Sequence, residues 1–263
     1  MEVNGVNLRY HRTGGGKPPL VLLHGFTDNG LCWTKVAKEL QTDFDIIMPD
    51  IRGHGKSFTD ELDFTLETAS KDIVELIKYL KLDNPIIMGH SMGGQIATLI
   101  AGNYPNITSK LILEDPAFLL KPMKMQFFRS IFKFLIKRAM KKTEEQLRKQ
   151  SRKFNKSWDE EDVITWATGQ KEFSLNNPLT VLENLSVSVD WHDFFPKITS
   201  HILLIVSSKG FLKLKDAKAI LPEFQNAEIA YIEKAGHSIR RENYKSFMES
   251  VSSFLNLERK FLF

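Results

Sequence analysis

The chain has 263 residues, 42% of them hydrophobic, with 36 Lys or Arg against 32 Asp or Glu for a formal charge of +4. This suffices for one large soluble core with an inserted subdomain. Cys32 is the only cysteine, which excludes a disulfide framework and a thiolate metal site, and no run reaches the roughly 18 to 20 apolar residues of a spanning helix.

The opening MEVNGVNLRYHR lacks the apolar stretch of a signal peptide, so a cytoplasmic location is the expectation. PLVLLHG (19–25), FDIIMPD (44–50), PIIMGH (85–90) and KLILED (110–115) are apolar runs of strand length that end in glycine or polar residues. Between them CWTKVAKEL and LETASKDIVELIKYLKL repeat apolar residues at helical spacing. Continuous apolar strands alternating with helices predict an α/β fold, a mostly parallel sheet with helices on both faces.

From 118 to 190 strand-like runs largely vanish. FFRSIFKFLIKRAMKKTEEQLRKQSRKF (127–154) gives way to SWDEEDVITWATGQKEF, both helical in character. Sheet grammar resumes at HILLIV (201–206) and AEIAYIEKAGH (227–237), and YKSFMESVSSFLNL closes the chain as a helix. The expected organisation is a core from 1–117 and 191–263 interrupted by a helical insertion, 118–190. The insertion is strongly basic: thirteen Lys or Arg stand between Lys121 and Lys156 against Glu144 and Glu145. A solvated helical face explains such a run more simply than an anionic membrane surface, and no nucleic-acid partner is expected.

GHSMGG (89–94) falls between the strand PIIM and the helix QIATLIAGNY. A serine on so sharp a turn needs small residues two before and two after it, and Gly89 and Gly93 supply them. With LLHGF (22–26), DIRGHGKS (50–57) and KAGHS (234–238), four motifs in this order resemble the α/β-hydrolase superfamily over nearly the whole chain.

The resemblance implies Ser91 as nucleophile, His237 as general base and the backbone N–H groups of Phe26 and Met92 as oxyanion donors, with the two side chains lining a pocket. It implies structural roles for His24, His54 and His90, and for Asp50 as a loop-bracing carboxylate near Arg52. The strand HILLIV is usually followed by the aspartate that orients the histidine, yet Ser208, Lys209 and Gly210 stand there. Asp115, with Glu114 beside it, is the replacement candidate because some members carry the acid at the end of this earlier strand. An acid-less triad is the alternative.

The insertion would then be a lid whose apolar face roofs the pocket, while Trp33, Trp158, Trp166 and Trp191 serve packing. The implied function is a serine hydrolase of the carboxylesterase or lipase kind, acting on an apolar small-molecule ester. Other reactions of Ser-nucleophile relatives, on carbon–carbon or amide bonds, remain open, as does a hydrolase-like binding protein. No cofactor or metal motif is present: the glycines at 14–16 form no dinucleotide fingerprint and the histidines lack ligand spacing.

Overall fold

The computed structural model describes residues 1–59, 63–118, 122–176, 178–185 and 189–257, with backbone alone for 122–128. Asn4 and Gly5, both at positive φ (46° and 73°), turn β1 (Glu2–Val3) into β2 (Val6–Asn7). An Asn-Gly pair between alternating apolar residues is a strong two-residue hairpin signal. β3 (Tyr10–Arg12) then pairs antiparallel with β5 (Asp45–Pro49), across the intervening β4 (Pro19–Leu23) and α1 (Thr34–Leu40).

Two strand–helix units follow, α2 (Leu66–Tyr79) to β6 (Ile86–His90) and α3 (Met92–Asn103) to β7 (Lys110–Glu114). Between β7 and β8 the chain forms α4 (Pro122–Met140), α5 (Glu144–Phe154), α6 (Glu160–Phe173) and α7 (Pro178–Asn184). The chain returns through β8 (His201–Ser207), α8 (Leu214–Ile220), β9 (Ala227–Ile232), the short α9 (Ile239–Glu242) and α10 (Tyr244–Leu255).

The main sheet has seven strands in the order β3-β5-β4-β6-β7-β8-β9, parallel except for β3. Because alternate side chains leave opposite faces, Val21 and Leu23 join one buried cluster with Ile73, Ile96 and Ile100 of α2 and α3. Leu20 and Leu22 join the other, with Leu40 of α1 and Phe247 and Val251 of α10. Both faces are therefore covered, which is why the strands read as unbroken apolar runs. Strand order reverses about β4, between β5 on one side and β6 on the other, so their carboxyl ends flank a crevice at the topological switch point.

The run 127–154 is helical, in two pieces. It breaks after Met140, and Thr143 caps α5 through a reciprocal box with Gln146. The T-x-x-Q signal for that start lies in the sequence. Phe127, Phe128, Lys121 and Lys124 have side chains outside the described residues. From 118 to 190 no strand occurs among the described residues, and among the described residues no helix is long and apolar enough to cross a membrane.

β4, β6 and α3 approach so closely that a Cβ at Gly93 would sit 2.2 Å from the Leu23 carbonyl oxygen, and one at Gly89 2.3 Å from that of Gly93. Neither obstacle is the end of a flexible side chain, so the backbones must part. Gly93→Ala should lower the urea midpoint by the equivalent of about 3 kcal/mol or prevent folding. An unchanged midpoint would contradict this packing.

Candidate active site

Ser91 stands between β6 and α3 at φ 51° and ψ −113°, a conformation that costs a non-glycine residue of order 1 to 3 kcal/mol. Its N–H donates to the Glu114 carbonyl at 2.9 Å, tying the turn to the end of β7. Ser91 and His237 line one cavity of about 280 Å³, together with Phe26, Phe211, Trp158 and Trp166. Among the described residues the N–H groups of Phe26 and Met92 make no hydrogen bond. Met92 opens α3, where the first N–H groups have no intrahelical acceptor and the helix dipole is positive. Its side chain packs in the core rather than in the pocket, whereas Phe26 does line the cavity.

His237 lies on the loop between β9 and α9, pinned from several sides. Glu242 accepts from the N–H groups of Gly236 (2.7 Å) and Ser238 (3.2 Å). Ser207 Oγ donates to the Gly236 carbonyl at 2.6 Å, and His90 Nε2 donates to that of His237 at 3.0 Å. With its proton on Nε2, His90 keeps a bare, buried Nδ1 that has no partner among the described residues. Burial, then the positive charge of Arg240, holds its pKa well below the ordinary histidine value, so the ring is a neutral strut.

The Asp115 carboxylate, fully buried, lies 2.6 Å from His237 Nδ1. It also accepts from the backbone N–H groups of Phe211 (2.8 Å) and Leu212 (2.9 Å), just past β8. A Cβ at Gly210 would fall 2.5 Å from Asp115 Oδ1. The glycine in the place usual for the acid thus makes room for a carboxylate arriving from β7. Ser208 Oγ instead donates to the Ala235 carbonyl at 3.2 Å. Asp115 takes φ 41° to make this reach, one residue past the strand.

Glu114 points the other way and binds the Arg240 guanidinium at 2.7 Å and its N–H at 2.8 Å. Arg240 stacks 4.1 Å from the Trp33 ring centre, and Arg241 holds Asp28 through two 3.1 Å bonds and reaches Asp162 of α6 at 3.6 Å. Burial pushes the Asp162 carboxyl up to about 6 against the pull of Arg241. This buried charge network beneath the cavity has no signature in local sequence, because its members come from four separate segments.

The remaining motif residues are bracing groups. His24 donates from Nδ1 to the Gly25 carbonyl and accepts the Ile51 N–H on Nε2, both at 2.9 Å. His54 is buried, hydrogen-bonded to the Arg52 carbonyl at 3.1 Å and stacked on Phe173. Asp50 accepts from the N–H groups of Gly30 and Lys56, each at 2.8 Å, while Arg52 pairs with Asp72 rather than with Asp50. Trp33 and Trp191 are core residues, but Trp158 and Trp166 face the cavity, so packing does not account for all four tryptophans.

α6 docks on the turn after β4. Gln170 Nε2 donates to the carbonyl and the hydroxyl of Thr27, a β-branched residue at φ 70°, and Asn29 Nδ2 donates to Glu172 at 2.7 Å. Among the described residues no group of three or more His, Cys, Asp or Glu is arranged to hold a metal ion.

A family model described as the alpha/beta hydrolase fold matches residues 18–181, and the chain belongs to that family. It is 26% identical to a putative esterase/lipase of Haemophilus influenzae, over 95% of this chain and 88% of that one. It is 25% identical to N-formylmaleamate deformylase of Pseudomonas putida, over 97% and 95% of the two chains. Among solved structures, a putative lipase from Acinetobacter baumannii superposes with a TM-score of 0.81 at 20% identity, covering 97% of this chain and 89% of the other, which bears on the fold.

Glu114→Gln would leave the Arg240 charge buried without its closest counter-charge, so unfolding in urea should show a loss of about 3 kcal/mol. Glu75→Gln, which removes an exposed partner of Lys78, should leave the midpoint where it was. Equal effects at the two sites would contradict the difference in burial.

Proposed function

We propose that the protein is a serine esterase that hydrolyses small carboxylic esters through an acyl-enzyme at Ser91. The observation that carries this reading is the 2.6 Å contact of Asp115 with His237 Nδ1 in a cavity that also holds the strained Ser91. A carboxylate on Nδ1 favours the tautomer with a proton there, which leaves Nε2 free to act as base.

Ser91 Oγ attacks the ester carbonyl as His237 Nε2 takes its proton. The oxygen, now negative, is met by the N–H groups of Phe26 and Met92, each worth about 3 kcal/mol of transition-state stabilisation if preorganised. The alcohol leaves with the proton from His237, and water, deprotonated by the same nitrogen, releases the acid and restores Ser91. Asp115 stabilises the imidazolium in both halves.

The inserted helices act as the lid, supported by the contacts of α6 with the turn at Thr27 and by the cavity residues that α4, α5 and α6 supply. A cytoplasmic setting belongs to the same reading, supported by Cys32 being the only cysteine of the sequence. Membrane docking through the basic helices is not part of it. Amide hydrolysis is the second reading, favoured by the likeness to a deformylase as well as to an esterase. The carboxylate 2.6 Å from His237 Nδ1 favours turnover over a binding-only role.

Ser91→Ala should abolish turnover of p-nitrophenyl acetate and butyrate, and a fluorophosphonate should label the native chain at Ser91 alone. Labelling elsewhere, or undiminished turnover, would end the reading. Asp115→Asn should lower kcat by up to about 10⁴-fold, whereas Ser208→Asp in the native chain should add little. A small effect of Asp115→Asn together with a gain from Ser208→Asp would place the acid function elsewhere.

A further inference from the structure

Three cations line the cavity that holds Ser91 and His237: Arg138, Lys142 and Arg241. Arg241 is neutralised by Asp28 and Asp162. In the same basic stretch Lys133, Arg148, Lys149 and Arg152 each pair with a glutamate. Arg138 and Lys142 differ: among the described residues neither forms an ion pair. Lys142 Nζ donates to the neutral side-chain carbonyl of Gln150, another lining residue.

Arg138 lies in the last turn of α4, and Lys142 two residues past its end. Arg138 is exposed, whereas Lys142 is half-buried, and burial, then the neighbouring charge of Arg138, lowers its pKa from the ordinary lysine value. Apolar residues such as Phe132, Leu135 and Leu147 line the same cavity. A solvated face accounts for Lys137 and Lys141, which point to water and lie outside this cavity, but not for a lysine turned into it. Lys142 is thus partly desolvated and repelled by a neighbouring cation, and an anion placed against the pair relieves both costs.

We propose that Arg138 and Lys142 form a seat for a carboxylate carried by the substrate. Preferred substrates are then half-esters of aliphatic dicarboxylic acids, with the ester carbonyl at Ser91, the methylene chain along the apolar wall and the free carboxylate at the end of α4. The inference rests on the ester-hydrolase reading for its chemistry, and on the cavity lining alone for the anion. The reaction is plain hydrolysis: half-ester and water give the dicarboxylic acid and an alcohol.

The test compares monomethyl and dimethyl esters of succinic, glutaric, adipic and suberic acids, with methanol release as the readout. For at least one chain length the native enzyme should favour the half-ester in kcat/KM by about tenfold or more, as expected of a hydrogen bond to a charged group. In Arg138→Gln/Lys142→Gln that ratio should fall below about twofold, mainly through KM, and raising the salt should shrink it in the native enzyme. Equal rates for both esters, or a preference that survives the double substitution, overturn the seat.

Calorimetry on Ser91→Ala separates the two claims. Binding of monomethyl adipate that the added double substitution abolishes, with no turnover by the native chain, keeps the seat and refutes the esterase. Turnover of both ester types without a charge preference keeps the esterase and refutes the seat. Neither turnover nor binding refutes both.

Discussion

A buried carboxylate with three donors around it is the constraint on which the site depends. Asp115 has no contact with water, and its charge is met by His237 Nδ1 and by the N–H groups of Phe211 and Leu212. An ionised carboxylate without such partners would cost several kcal/mol to bury. The arrangement needs β7 and β8 to be neighbours, so that a side chain leaving one strand end meets the loop leaving the other. It also needs a missing side chain at 210, where a Cβ would lie 2.5 Å from the carboxylate.

The rest of the site is arranged so that strained pieces cannot relax. Ser91 and Thr27 both hold positive φ, and each is fixed from outside its own turn, Ser91 by the Glu114 carbonyl and Thr27 by Gln170 of α6. Beneath them Glu114, Arg240, Arg241, Asp28 and Asp162 join β7, α9, the turn after β4 and an inserted helix in one buried set of charges. Such pairs rarely add much net stability, but breaking one is expensive. Their effect is to fix how the inserted helices meet the core, and with that the walls of the cavity.

Much of this was legible in the residues themselves. The strand runs and helical spacings located the alternating core, and GHSMGG marked the turn at Ser91 because close backbone packing demands glycines at 89 and 93. The empty place after HILLIV drew attention to Asp115, but local pattern could not decide whether its side chain reached His237: that depends on φ at 115 and on the gap at Gly210, which are three-dimensional facts. The break between α4 and α5 is carried by Thr143 and Gln146, whose reciprocal cap opens α5. Trp158 and Trp166 look like any packing aromatics until the fold brings them to the cavity lining. The contacts of Glu114 and Asp28 with Arg240 and Arg241 join residues more than a hundred positions apart, beyond the reach of any local signal.

The most direct test of the account is the proton between Asp115 and His237, observed by nitrogen-edited NMR of the native chain at neutral pH. A buried hydrogen bond of 2.6 Å to a carboxylate predicts a strongly downfield proton attached to His237 Nδ1, absent in Asp115→Asn and retained in Ser208→Ala. A His237 ring protonated only at Nε2, or a downfield proton that survives Asp115→Asn, would show that the acid from β7 does not hold the imidazole.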